Sequence, residues 1–102
     1  MRFQITTTAE GQTLEVRLAG EFDINAVDEF RAVVEERETA WRRAEIDLAD
    51  VVFMDSSGLG ALVALDTHAR ERGHELTLVR PSLPVSRLLQ LTGLDSHFTV
   101  RT

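Results

Sequence analysis

The chain of 102 residues has no cysteine and no lysine, and only two prolines. Without cysteine there is no disulfide frame, no thiolate zinc site and no thiol nucleophile. Any metal site would have to be built from the three histidines and the carboxylates. Without lysine there is no Walker-type loop, because that phosphate cradle is a long Gly-rich stretch ending in Lys. Positive charge is short as well. Eleven basic residues stand against 17 acidic ones, for a formal charge of -6. No broad basic surface is left to neutralise phosphates, which excludes nucleic acid as the main partner and favours a basic protein surface. Nowhere do eighteen apolar residues follow one another, and the start, Met1 to Gly11, lacks an apolar h-region. The expectation is a protein that is neither exported nor membrane-bound and works in the cytoplasm, where its lack of thiols is unremarked by the reducing conditions.

What is present has the balance of a folding chain, with 43% hydrophobic and 27% charged residues. At this length one domain spanning 1–102 is expected. Phe3 to Thr7 and Leu14 to Leu18 alternate apolar with polar, the period of half-buried strands, and Ala9 to Gln12 reads as the turn of a hairpin. After Gly20-Glu21-Phe22-Asp23 the period changes. Ala26, Val27, Phe30, Val33 and Val34 share one helical face, with Asn25 as candidate N-cap, Asp28 and Glu29 in the first turn, and an end near Glu38.

Ala44 to Leu48 alternates again and Asp50 opens a loop, in which Val51, Val52, Phe53 and Met54 suggest a buried strand end. Helical spacing resumes from Ser57 and stops at Gly73. Glu75 to Val79 is a strand. Pro81 to Pro84 breaks the chain and caps a third helix through Val85, Leu88, Leu89 and Leu91, ended by Gly93, before a last strand over Phe98 to Arg101. The order β-β-α-β-α-β-α-β requires crossover connections after the hairpin, hence an α/β sandwich with a mixed sheet.

Candidate chemistry concentrates between Met54 and Gly60. Asp55, Ser56 and Ser57 sit at a strand-to-helix junction, where capping is their ordinary task. Gly58 and Gly60 fall in the first helical turn, each costing about 1 kcal/mol relative to Ala, so a close approach by another backbone or a nucleotide is expected there. The helix start favours an anion, and a phosphate on Ser56 would lie in that field. A hydrolase elbow fails, because Met54 and Asp55 stand where its glycine is needed. A dispersed triad of Ser56 with His68, His74 or His97 is disfavoured, since His68 lies about three turns along the same helix. Gly20 to Asp23 alone reads as a turn with capping acids, and Trp41 as a loop residue covering a core edge, or less readily as a partner hot spot.

Taken together, the Leu18 to Asp23 turn, the strand Ile46-Asp47-Leu48, the run Phe53-Met54-Asp55-Ser56-Ser57-Gly58-Leu59-Gly60 and the Leu88, Leu91, Gly93, Leu94 segment resemble the STAS domain of anti-sigma-factor antagonists over nearly the whole chain. The resemblance implies a non-enzymatic switch without cofactor or metal. The unphosphorylated protein binds an anti-sigma factor that is also a serine kinase and so frees a sigma factor. Phosphorylation of the first serine after the aspartate, matched here by Ser56, ends the binding, and a serine phosphatase resets it. Asp23, Asp55, Ser57, Gly58 and Gly60 are the implied partner-binding residues. The alternative within the same fold is a scaffold or accessory subunit of a stress-sensing or transport assembly, with Ser56 only a cap. Family members usually run on from the last strand into a C-terminal helix. The sequence to Thr102 lacks one, so exposed apolar surface is expected.

Overall fold

The computed structural model describes residues 2–36 and 40–102. Its elements are β1 (Gln4–Glu10), β2 (Thr13–Phe22), α1 (Ile24–Glu36), β3 (Arg43–Met54), α2 (Ser56–Glu71), β4 (Glu75–Val79), α3 (Leu83–Thr92), a 3-10 turn (Leu94–Ser96) and β5 (Thr99–Arg101). The expected order of strands and helices is the observed one. The sheet runs β1-β2-β3-β4-β5, with β1 antiparallel to β2 and every later pair parallel. Each parallel step is made through a helix. Right-handed crossovers taken in sequential order put all three helices on one face.

That face is the core. Leu14, Val16, Leu18 and Phe22 of β2, Ile46 and Leu48 of β3 and Leu76 and Leu78 of β4 join Phe30, Leu62, Val85 and Leu89 from the helices in one buried cluster. Phe22 is its aromatic hinge, stacked on Phe3 at 5.4 Å and tilted against Phe30 at 5.0 Å between ring centroids. Trp41 is buried in the same cluster with its ring 5.1 Å from His74. It is therefore a core residue and not an accessible hot spot.

Four local expectations need correction. The first helix is capped by Asp23 and not Asn25. Asp23 Oδ1 accepts from the Asn25 N–H at 3.0 Å and its carbonyl from the Ala26 N–H at 3.0 Å. Starting at Ile24, α1 has no acid in its first turn, so Asp28 and Glu29 lie further in. Its expected end at Glu38 falls outside the described residues. The other two corrections concern β3, where Asp50 opens no loop and the strand continues to Met54. Between Arg17 and Ala19, and again between Gly20 and Glu21, the pairing shifts so that β3 spends an extra residue against β2. These bulges break the period-2 pattern while leaving the strand intact. They also turn Val52 and Phe53 outward, each about half exposed, where a buried strand end is expected.

The opposite face of the sheet is open and charged. Arg80 and Arg17 share the carboxylate of Asp47, Arg17 at 3.6 Å, and Arg101 makes a forked pair with Glu45 at 3.0 and 3.2 Å. Burial pushes the Asp47 carboxyl up. The Ala49 N–H, the Arg80 hydrogen bond and the charges of Arg80 and Arg17 outweigh it and hold the group below its ordinary 3.8. A lowered native value means that the stabilisation is complete above the unfolded value and is lost as pH falls through the native one. Asp47→Asn therefore flattens the acid limb of stability against pH below about pH 5. Urea midpoints measured from pH 7 to pH 2.5 check this, and an unchanged acid limb contradicts it.

On the helical side one carboxylate is fully enclosed. Asp66 of α2 is 3% exposed and faces Arg70 Nε at 3.0 Å and His97 Nε2 at 3.1 Å. Arg70 also donates to the His97 carbonyl, so the cluster ties α2 to the turn before β5. Because Arg70 is exposed and Asp66 is not, removing the arginine leaves the buried carboxylate facing His97 alone, whereas replacing both leaves no buried carboxylate. Arg70→Met is expected to cost about 2 kcal/mol in urea unfolding, and Arg70→Met with Asp66→Leu to recover most of it. A double variant as unstable as the single one contradicts the assignment.

Candidate functional site

The parallel strands deliver three chain segments to one end of the sheet, beyond the carboxyl ends of β2, β3 and β4. Crevices for ligands and partners in open α/β sheets form at this end. Phe22 pairs with Met54 in the register, so Asp23 and Asp55 leave neighbouring strands side by side. Adjacent strands lie about 4.8 Å apart, which sets the spacing at which these acids emerge.

Asp55 is the cap of α2. Its backbone is extended, and Oδ1 accepts from the N–H groups of Ser57 at 2.9 Å and Gly58 at 3.3 Å. Capping by the aspartate releases both serines from that duty. Ser56 becomes the first helical residue and is exposed, while Ser57 is half-buried. The site thus presents an exposed hydroxyl on the positive end of a 16-residue helix, directly after the capping carboxylate of Asp55.

The two glycines of the first turn turn out to serve different ends. A Cβ on Gly58 would lie 2.3 Å from the Phe22 carbonyl oxygen and 3.0 Å from the Phe22 ring. Gly58 is buried, so the close approach it permits is by β2 of the same chain and not by a partner. It is what lets α2 start against the end of β2, next to Asp23. Gly60 is exposed and a Cβ there would meet nothing within 4 Å, so space for a partner is available at Gly60 alone of the two.

Ile24 and Phe53, 67% and 48% exposed, flank the acids in the chain and give this end an apolar rim. Sequence reasoning does not mark them. Period-2 patterning buries Phe53, and only the bulge reverses it, while Ile24 carries the single faint signal of an apolar residue directly after a capping acid. The histidines do not converge on Ser56. His97 is engaged with Asp66, His74 with Trp41, and His68 lies three turns down α2. Among the described residues no group of three or more His, Asp or Glu side chains is placed to hold a metal, and no helix is long and apolar enough to cross a membrane.

The family described as Mlab, STAS domain, matches residues 5–101. The chain belongs to the STAS domain family. Its relatives include an anti-sigma-B factor antagonist of Staphylococcus aureus, 33% identical over 95 residues that cover 92% of this chain and 88% of that protein. A STAS-domain containing protein of Pseudomonas aeruginosa is 31% identical over 93 residues, 91% of this chain and 92% of the other. Among solved structures, the anti-sigma factor antagonist SpoIIAA in its unphosphorylated form superposes with a TM-score of 0.81 at 27% identity, covering 99% of this chain and 89% of that one. The phosphorylated form of the Bacillus protein gives 0.76 at 26% identity, covering 99% and 92%. This STAS domain has the mixed α/β fold of SpoIIAA. The Staphylococcus aureus relative and SpoIIAA are antagonists of a regulator, and the STAS chain described here is a binding protein and not an enzyme.

Two stability contrasts follow from the site. Asp55→Ala is expected to cost about 1 kcal/mol through the lost cap, and Ser56→Ala less than about 0.5 kcal/mol. Gly58→Ala forces a backbone clash and costs about 2 kcal/mol or more, whereas Gly60→Ala is neutral or gains up to about 1 kcal/mol from helix propensity. Chemical unfolding of the four variants checks both orders. A Ser56→Ala variant as unstable as Asp55→Ala contradicts the assignment of the cap.

Proposed function

We propose that this STAS domain, acting as one unit over 1–102, is a cytoplasmic anti-sigma-factor antagonist switched by phosphorylation of Ser56. In its unphosphorylated form it binds an anti-sigma factor with serine kinase activity and so releases a sigma factor, and a serine phosphatase restores it after modification. The observation that carries this is the division of labour at the start of α2. Asp55 caps the helix, and Ser56 stands exposed with no structural task. The antagonists among its relatives, and the existence of SpoIIAA in both phosphorylation states, support the same role.

The surface explains how one modification acts. Asp55, Ser57 and Gly60 lie beside Ser56 in the chain, Asp23 emerges from the neighbouring strand at the same end of the sheet, and Ile24 and Phe53 add exposed apolar surface there. A phosphate adds about -1.5 to -2 charges beside Asp55, at the end of the sheet that also carries Asp23, so a partner surface that accepts the unmodified site meets added repulsion and desolvation cost. Release needs no refolding. The N–H groups nearest the phosphate are already taken by Asp55, and the helix dipole still offsets part of the new charge within the domain.

A second role keeps one observation in its favour: the matching family is described as Mlab and not as a sigma regulator. In that role the domain is an accessory subunit of a larger assembly and Ser56 is never modified. Incubation with the cognate kinase and ATP separates the two. The switch requires phosphate on Ser56, lost in Ser56→Ala, and its absence sinks the switch. Ser56→Asp is expected to weaken anti-sigma binding by about tenfold or more with a nearly unchanged thermal midpoint, while Ser56→Ala binds and cannot be switched off. Undiminished binding by Ser56→Asp contradicts charge repulsion.

A further inference from the structure

The two edges of the sheet are guarded very differently. β5 has three residues, and its Arg101 is locked in the forked pair with Glu45. β1 has seven, pairs with β2 without a single register shift, and has no neighbour on its outer side. Natural edge strands are blunted by Lys, Pro, bulges or inward charges. Between Phe3 and Ala9 the segment F-Q-I-T-T-T-A has none of these. Its outward N–H and C=O groups are a free template for another strand.

The charges that bound this segment are self-complementary. Arg2 precedes it and Glu10 ends it, and neither makes an ion pair among the described residues. The Arg2 carbonyl lies against Gly20, so the chain already runs beside β2 before the strand formally begins. In an antiparallel pair of two copies with the two-fold axis at Thr6, Arg2 stands opposite Glu10 of the second copy, Gln4 opposite Thr8, and Thr6 opposite its own mate. All of these lie on the open face of the sheet, because their β2 neighbours Ala19, Arg17 and Glu15 do. On the helical face Phe3 meets Ala9 and Ile5 meets Thr7. Facing residues in antiparallel strands share a face, and this register respects that for every pair.

We infer that β1 is a homodimerisation edge, joining two copies of this chain through the Arg2–Glu10 segment into one ten-stranded sheet. Cross-strand Thr pairs and opposite charges are the favourable combinations on such a surface, and two ion pairs close the two ends. The contact is a strand edge without an apolar core, which places it among weak, concentration-dependent associations. Most of the contact lies away from Ser56, and only its Arg2 end borders a pocket that Asp23 also lines.

Sedimentation equilibrium of the whole chain from about 10 μM to 1 mM, at about 0.15 M salt to screen the net charges of the two copies, reads this directly. The expected result is a rise toward twice the monomer mass. Thr6→Lys sets two like charges at the two-fold axis and is expected to raise the dimer dissociation constant at least about tenfold. Arg2→Glu alone and Glu10→Arg alone weaken the dimer, and the two together restore it, because the pair is reversed and not removed. Thermal midpoints near that of the parent show that each variant is folded. A chain that stays monomeric throughout overturns the inference, as does a dimer indifferent to Thr6→Lys or a double reversal that fails to restore association.

Discussion

Everything at the functional end of this STAS domain depends on the contact between the first turn of α2 and the end of β2. The Phe22 carbonyl oxygen occupies space that any side chain at position 58 would need. Only glycine allows the helix to begin that close. From this contact follow the start of α2 at Ser56 and the use of Asp55 as cap. Phe22 also carries the aromatic contacts to Phe3 and Phe30, so the same residue anchors the core and sets the geometry of the site. The glycine that looks like an opening for a partner is in fact a joint inside the protein.

The chemistry of the site is simple once that joint is made. A carboxylate satisfies the first orphan N–H groups of the helix, which frees a hydroxyl beside it for another use. The site has no convergent base for the hydroxyl and no set of metal ligands among the described residues. What it offers is position: an exposed serine on a helix start, at the end of the sheet where Asp23 and Asp55 emerge, with exposed Ile24 and Phe53. Such a surface discriminates by charge. A modification there acts on the partner and leaves the domain as it was.

Much of this is legible in the residues. The 3.6 and 2.0 periods in Leu14 to Leu18, Ala26 to Val34 and Glu75 to Val79 are strong because each element buries one face only, and they place the strands and helices correctly. Asp55-Ser56-Ser57-Gly58 stands out because serines and glycines in one helical turn contradict helix propensity. What fails to show in the sequence is whatever depends on a neighbour. The bulges of β3 exist only in its pairing with β2, so the strand looks finished at Leu48, and Val52 and Phe53 look buried. Asp23 and Asn25 are both good caps, and the choice between them is settled by where β2 ends. The roles of Gly58 and Gly60 are indistinguishable until the Phe22 carbonyl is seen beside one and open space beside the other.

The central claim is that phosphate on Ser56 breaks partner binding by charge at an unchanged surface. The most direct measurement compares the affinity of unmodified and fully phosphorylated protein for the anti-sigma factor across ionic strength, with amide exchange of α2 followed in both forms. Repulsion at an exposed contact is screened by salt, so the account predicts that the gap in affinity narrows as salt rises while exchange in α2 stays the same. A gap that ignores salt, accompanied by faster exchange through Ser56–Glu71, would mean that the phosphate acts by unmaking the helix, and the account would be wrong.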